Sequence, residues 1–129
     1  MKFLAPFLVT MTLLIVACAD DGPESTIAPV HWVLEEITEP STLSIVGYIG
    51  SSSCSAFERV EVVEGETQVD ISVLVRTRNA DACTSDLRLR PIEVVLAAPL
   101  GERELVGCLP ERVPVGVTDE GCRTILNPR

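Results

Sequence analysis

The feature that most constrains the fold is an alternation of apolar and polar residues between positions 57 and 77. Residues 68–77 place four apolar side chains on one face of a strand: Val69, Ile71, Val73 and Val75. Residues 57–64 alternate as well, and Val60 and Val62 are expected to face inward. Because Gly65 supplies a tight turn between the two runs, the segment predicts a β-hairpin.

Shorter runs of strand type occur on both sides of this hairpin. They cover residues 32–37, 42–49, 87–97 and 103–106, and in the second of them Leu43, Ile45 and Gly47 share one face. The tail is less regular, with residues 113–117 and 123–126 as its extended candidates, and no window has the period of a helix. Six to eight short strands separated by turns predict an all-β fold. We expect a small, disulfide-stapled antiparallel β-sandwich, for which an immunoglobulin-like arrangement is one option.

The chain contains five cysteines, of which four follow its first eighteen residues: Cys54, Cys83, Cys108 and Cys122. None has the C-x-x-C spacing of a zinc or redox site, so in an exported chain they predict two disulfides with three possible connectivities. Cys54 precedes the first strand of the hairpin and Cys83 follows the second, which places both at its open end. This favours Cys54 with Cys83 and leaves Cys108 with Cys122. Each bridge is worth roughly 3–4 kcal/mol in the chain-entropy model.

The N-terminal residues have the pattern of an export signal. Met1 and Lys2 are followed by an apolar run over residues 3–17, which is shorter than the ~18–20 residues of a membrane-spanning helix. The run closes with Ile15-Val16-Ala17-Cys18, and the chain then turns acidic. This resembles the lipobox of bacterial lipoproteins. The alternative is an ordinary secretory signal with an unmodified thiol at Cys18.

The lipobox resemblance implies how the chain is divided and where it is located. Residues 1–17 would be the signal peptide, and Cys18 would carry a diacylglycerol and a further acyl chain such as palmitate. Residues 18–30 would be the lipidated cysteine and a flexible tether, and residues 31–129 a single β domain. The domain is expected on the extracytoplasmic face of a membrane. That membrane would be the outer one in a Gram-negative host, because Ala19 and not aspartate follows the cysteine.

The charge balance restricts the partners. Asp and Glu number 19 against 10 Lys and Arg, and the formal net charge is −9. An acidic surface argues against nucleic acid, and it argues equally against electrostatic docking on anionic lipid headgroups. We therefore expect the lipid on Cys18 to be the only attachment of the chain to the membrane.

The sequence predicts neither an enzyme nor a cofactor or metal site. His31 is the only histidine, and the serines at 51–53 have no G-x-S-x-G motif around them. The acidic pairs Glu35/Glu36 and Glu102/Glu104 lie in strand or turn segments, where glutamates usually face solvent. Arg103, which ends the turn Pro-Leu-Gly-Glu-Arg, is the candidate ligand contact. The alternative for Arg103 is that it holds the turn through backbone carbonyls.

Residues 46–108 resemble small exported proteins of high-GC bacteria whose function is uncharacterised. The features that carry the resemblance are Gly47-Tyr48-Ile49-Gly50, the cysteines Cys54 and Cys83, and the turn over residues 96–105. It implies location and fold and supplies no catalytic residue. The sequence therefore predicts a non-catalytic cell-envelope lipoprotein whose β domain binds another envelope protein or a wall component. The alternative is an inhibitor of an exported hydrolase that uses the loop at 50–54 or at 80–86 as a disulfide-braced wedge.

Overall fold

The computed structural model describes residues 24–109 and 122–123, and within these ranges the chain forms strands and no helix. The strands are β1 (Ser25–Val30), β2 (Trp32–Glu39), β3 (Thr42–Gly50), β4 (Ser55–Glu64), β5 (Gln68–Arg78), β6 (Arg88–Val95) and β7 (Glu104–Val106). The predicted all-β class is therefore confirmed. Cys18 and the candidate strand at 113–117 lie outside the described residues, as does the candidate at 123–126 except for Arg123, which is in a turn.

The strands form two sheets that pack face to face. One sheet has the order β1-β5-β4, with the short β7 pairing parallel to β5, and the other has the antiparallel order β2-β3-β6. This is the predicted sandwich. Its three-stranded sheet combines the second, third and sixth strands, whereas an immunoglobulin domain of constant type uses the third, sixth and seventh. The strand order therefore differs from the immunoglobulin arrangement.

The predicted hairpin is formed by β4 and β5. The apolar face of β5 is almost fully buried at four positions: Val69, Ile71, Val73 and Val75. A β-bulge in β4 at Glu58 shifts the register, so that Phe57 and Val60 both pack against the core. Val62, predicted to face inward, is 36% exposed. The reason is that β4 is an edge strand and Val62 lies towards the end of it.

Trp32 joins the two sheets at the centre of the core. Its side chain is fully buried, and its Nε1 donates hydrogen bonds to the carbonyl oxygens of Ile71, at 2.9 Å, and Gly107, at 3.0 Å. Gly107 has a φ of 98°, and a Cβ there would lie 2.3 Å from the Ile71 oxygen. Only glycine fits this close approach. The start of β2 is thereby tied both to β5 and to the segment after β7.

The tether predicted over residues 18–30 is wrong in its second half. Ser25–Val30 is a strand that pairs antiparallel with β5, from Ser25 opposite Arg78 to Val30 opposite Val73. Pro29 and the polar residues Ser25 and Thr26 are typical of a linker, but proline is tolerated in an edge strand. The free edge of β5 supplies hydrogen bonds, and Val30 packs against the core. The folded domain therefore includes residues 25–30.

Both predicted disulfides are present, Cys54–Cys83 and Cys108–Cys122, each with a Cα–Cα distance of 5.6 Å. Disulfides persist in oxidising compartments, so they indicate an extracytoplasmic environment. In the part of the chain that the structure describes, no helix has the length and hydropathy to cross a membrane.

Candidate functional site: a braced pair of loops

Two loops meet at one end of the sandwich. The first, residues 51–54, connects β3 to β4, and the second, residues 79–87, connects β5 to β6. Gly50 ends β3 with a φ of 94°, a conformation that favours glycine, and thereby turns the chain into the first loop. We call the two loops the brace and this end of the sandwich the brace end. The second loop is solvent-exposed throughout.

The Cys54–Cys83 disulfide joins the two loops, and hydroxyl groups surround it. Cys54 is buried beneath the first loop, whereas Cys83 is exposed. The Thr84 amide donates to the Ser53 hydroxyl at 2.9 Å, and the hydroxyls of Ser51 and Thr84 are 2.8 Å apart. The covalent bond and these hydrogen bonds hold two exposed loops in one arrangement.

Asp86 extends the contact between the loops. Its carboxylate accepts a hydrogen bond from the Ser52 amide at 3.1 Å. The hydroxyl of Thr84, followed by the hydroxyl and amide of Ser52, stabilises the charged form and lowers the pKa of Asp86 to about 2. Asp86 is therefore ionised across the physiological range and accepts these hydrogen bonds there.

A pocket of about 380 Å³ opens beside the first loop. Hydroxyl and guanidinium side chains dominate its lining, which consists of Ser25, Ser52, Ser53, Cys54, Ser55, Ala56, Arg76 and Arg78. We call it the brace pocket. No carboxylate is among these lining residues. Such a lining offers hydrogen-bond donors and positive charge to an anion.

The four arginines at the brace end have different interaction partners. Arg76 forms a two-pronged ion pair with Glu58, which lowers the pKa of Glu58 and raises that of Arg76. Arg78 donates to the Ser53 carbonyl at 3.1 Å, and Arg88 donates to the Ser55 carbonyl. Arg90 lies over the Phe57 ring, 4.3 Å from its centroid. Among the described residues, only Arg76 of these four has a carboxylate partner.

Arg103 lies at the opposite end of the sandwich, which we call the turn end. Its guanidinium donates to four carbonyl oxygens, those of Gly65, Ala98, Pro99 and Leu100, and to the Glu64 carboxylate. These contacts engage the N–H groups of all three nitrogens. Arg103 therefore holds the turn through backbone carbonyls, which is the alternative role expected from the sequence.

Glu64 completes the contacts at the turn end. It accepts hydrogen bonds from the amides of Ala97, at 2.7 Å, and Ala98, at 3.3 Å. These amides, and after them Arg103, keep the pKa of Glu64 below its ordinary value. The arginine and the carboxylate thus fix the same turn from two sides.

The residues weighed for catalysis do not come together. His31 is buried, and its Nδ1 is 2.6 Å from the Cys108 carbonyl oxygen, while its ring lies 4.8 Å from that of Tyr48. The hydroxyls of Ser51 and Ser53 bond each other and Thr84, and none of the described contacts joins them to His31. In the described ranges, no group of His, Cys, Asp and Glu has a geometry that could hold a metal ion.

Sequence reasoning did not foresee the brace pocket. Its residues come from four elements, the start of β1, the first loop, the start of β4 and the end of β5, and no local motif connects them all. A weaker signal was available, because Arg76 and Arg78 end one strand while Arg88 and Arg90 begin the next. The loop over residues 79–87 joins these two strands, so the end of β5 and the start of β6 lie at the same end of the sandwich.

No family model, no curated protein and no solved structure matches this chain.

Proposed function

We propose that the chain is a lipoprotein of the cell envelope, anchored through Cys18, whose β domain is a non-catalytic binding module with the brace as its contact surface. The observation that carries this proposal is the brace itself. It is a pair of exposed loops cross-linked by a disulfide and by hydrogen bonds. Loops held in one conformation lose little entropy on binding, which is why preorganised loops bind well. The partner of the brace is another envelope protein or a wall component.

The lipobox supports the anchor, and the disulfides agree with an extracytoplasmic location. A substitution of Cys18 by serine tests the anchor directly. We expect metabolic labelling with a palmitate analogue to mark the wild-type chain and not the variant. We also expect the variant to accumulate as an uncleaved or mislocalised precursor. Wild-type membrane retention of the variant would contradict the anchor.

Binding by the brace is tested by loop variants that keep the disulfide. Replacing Ser85 with arginine adds bulk and charge at an exposed position of the second loop. Replacing Glu102 with arginine places the same side chain at an exposed position of the turn end and is the control. In-cell cross-linking followed by mass spectrometry should lose its main protein partner in the Ser85 variant only. Retention of the partner by both variants would refute the brace as the contact surface.

The same loops favour a second candidate, an inhibitor of an exported hydrolase. A rigid, exposed and disulfide-braced loop is the kind of element that enters an active-site cleft. The identity of the cross-linked partner separates the two candidates. A secreted hydrolase whose activity falls on adding the purified domain would support inhibition, and a partner without hydrolytic activity would support the binding module.

A further inference from the structure

The start of the folded domain lies at the brace end. Ser25 pairs with Arg78 and also lines the brace pocket, and the Asn79 amide donates to the Glu24 carbonyl at 2.7 Å. From Cys18 to Glu24 the chain advances six residues, which span at most about 20 Å when fully extended. With a lipid on Cys18, as proposed above, the brace pocket cannot be far from the headgroups of the membrane that holds the anchor.

The charges are distributed unevenly between the two ends. The brace end carries as many arginines as carboxylates: Arg76, Arg78, Arg88 and Arg90 against Glu24, Glu58, Asp81 and Asp86. At the turn end carboxylates outnumber arginines among the described residues: Glu39, Glu64, Glu66, Glu102 and Glu104 against Arg103 and Arg123. Although the formal net charge of the chain is −9, the charges at the brace end are balanced, and three of its four guanidinium groups have no carboxylate partner among the described residues. The Debye length is about 8 Å at physiological ionic strength. A headgroup close to the brace end therefore interacts mainly with the charged groups at that end and not with the net charge of the whole chain.

Two of the arginines that have no carboxylate partner among the described residues are neighbours in sequence of exposed apolar residues. Leu87 and Leu89, whose exposed fractions are 46% and 55%, alternate with Arg88 and Arg90 at the start of β6. The leucines and arginines therefore point to opposite faces of that strand, and both faces are open at the brace end. Arginine next to exposed leucine suits an interface where the guanidinium meets phosphate and the leucine enters the boundary of the acyl region. Arg78 lines the brace pocket, whereas Arg88 and Arg90 line a separate pocket of about 180 Å³ at the same end of the sandwich.

We propose that the brace end binds the phosphates of anionic phospholipids, with the brace pocket, Arg78, Arg88 and Arg90 as the headgroup site, so that the domain sits brace-end-down on the membrane that carries its anchor. This inference rests on the proposed anchor for the choice of lipid as ligand. The net charge of the chain led to the expectation that the lipid on Cys18 is the only attachment to the membrane. The present proposal replaces that expectation with a second contact at the brace end. A protein partner of the brace would then bind it close to the lipid headgroups.

The test uses the mature chain from residue 18 with Cys18→Ser, so that no acyl chain contributes. Binding is measured by co-sedimentation with vesicles of phosphatidylcholine alone and of phosphatidylcholine mixed with phosphatidylglycerol. We expect binding to the mixed vesicles that weakens with salt, and little binding to phosphatidylcholine alone. Each arginine near an anionic surface contributes roughly a fivefold factor. The triple variant Arg78→Gln, Arg88→Gln, Arg90→Gln should therefore bind on the order of a hundredfold more weakly.

Arg59→Gln is the matched control, because Arg59 is exposed on β4 and forms an ion pair with Glu61 at 2.8 Å. It should bind the mixed vesicles like the parent chain, whereas Arg78→Gln alone should lose about fivefold. Leu87→Ser with Leu89→Ser should also weaken binding, without a change in the circular dichroism spectrum. Equal binding to both kinds of vesicle, or equal loss in Arg59→Gln and Arg78→Gln, would overturn the proposal.

Free glycerol 3-phosphate distinguishes a lipid headgroup from a soluble phosphate. At a concentration equal to that of the lipid phosphate, it should leave vesicle binding unchanged, because it lacks the surface potential and the boundary that the leucines enter. Displacement by it would replace the lipid with a soluble ligand and overturn the proposal. The protein in this assay carries no acyl chain and no protein partner is present, so failure of the assay is distinguishable from failure of the anchor or of the proposed binding module.

Discussion

Polar contacts have different roles at the two ends of the sandwich. At the turn end, Arg103 donates to the Glu64 carboxylate and to carbonyls of two segments, Gly65 and residues 98–100. At the brace end, short hydroxyl side chains and a disulfide join two loops, and arginines such as Arg78 remain exposed. At the turn end, the polar groups are hydrogen-bonded within the fold. The brace end is held in one conformation, but its arginines still have N–H groups that can donate to a ligand. That difference is the reason to place function at the brace end.

The largest effect is expected from the disulfide that joins the loops. Replacing Cys54 and Cys83 with serine removes a cross-link across 29 residues and should cost about 3.5 kcal/mol. For a domain of about this size, the melting temperature should fall by roughly 15 °C or more. Calorimetry of the parent and the double variant measures it. An unchanged melting temperature would contradict the brace as a structural element.

The same substitution at the two ends should have opposite consequences. Arg103→Met leaves four carbonyl oxygens and the Glu64 carboxylate without the guanidinium donor, so we expect a clear fall in melting temperature with vesicle binding unchanged. Arg78→Met removes one exposed hydrogen bond, so we expect a melting temperature close to that of the parent and weaker vesicle binding. Thermal melts and co-sedimentation on both variants provide the comparison. If both variants lose stability and neither loses binding, the two ends do not differ as described.

The carboxylates at the two ends should titrate in acid. The folded pKa of Asp86 is about 2, below its ordinary 3.8, so its contribution is present above about pH 4 and is lost as the pH falls towards 2. The amide resonance of Ser52 reports this carboxylate, and that of Ala97 reports Glu64, whose pKa is also lowered. We expect the Ser52 amide to titrate with a midpoint of about 2 and to stop titrating in Asp86→Asn. A midpoint near 4 would show that the hydrogen bonds to Asp86 do not form in solution.

The smallest effect is expected from a single hydroxyl. Ser53→Ala removes the acceptor of the Thr84 amide, an exposed bond that is worth at most about 1 kcal/mol because water replaces it. Hydrogen exchange at the Thr84 amide should become faster in this variant, while exchange at the core strand β5 should not change. Faster exchange in both places would mean that the loops and the core open together.

The hairpin and the disulfides were predictable because their signals are local. Alternation through Val69–Val75 fixes which face of β5 is buried, and the positions of Cys54 and Cys83 around the hairpin fix their pairing. The role of β1 was not predictable, because the edge of β5 that receives it lies far along the chain. Which of two roles Arg103 takes also depends on atoms from distant segments, here Gly65 and residues 98–100. The brace pocket escaped prediction for the same reason.

The most direct test of the account places a photoreactive amino acid at Ser85, in the brace, or at Glu102, at the turn end, of the full chain in its native host. Both positions are exposed, so the photoreactive side chain is accessible to solvent and to a partner at each of them. We predict that cross-links to an envelope partner or to lipid form from position 85 and not from position 102. Cross-links from position 102 alone, or equally from both, would contradict the claim that the brace end is the working surface of this protein.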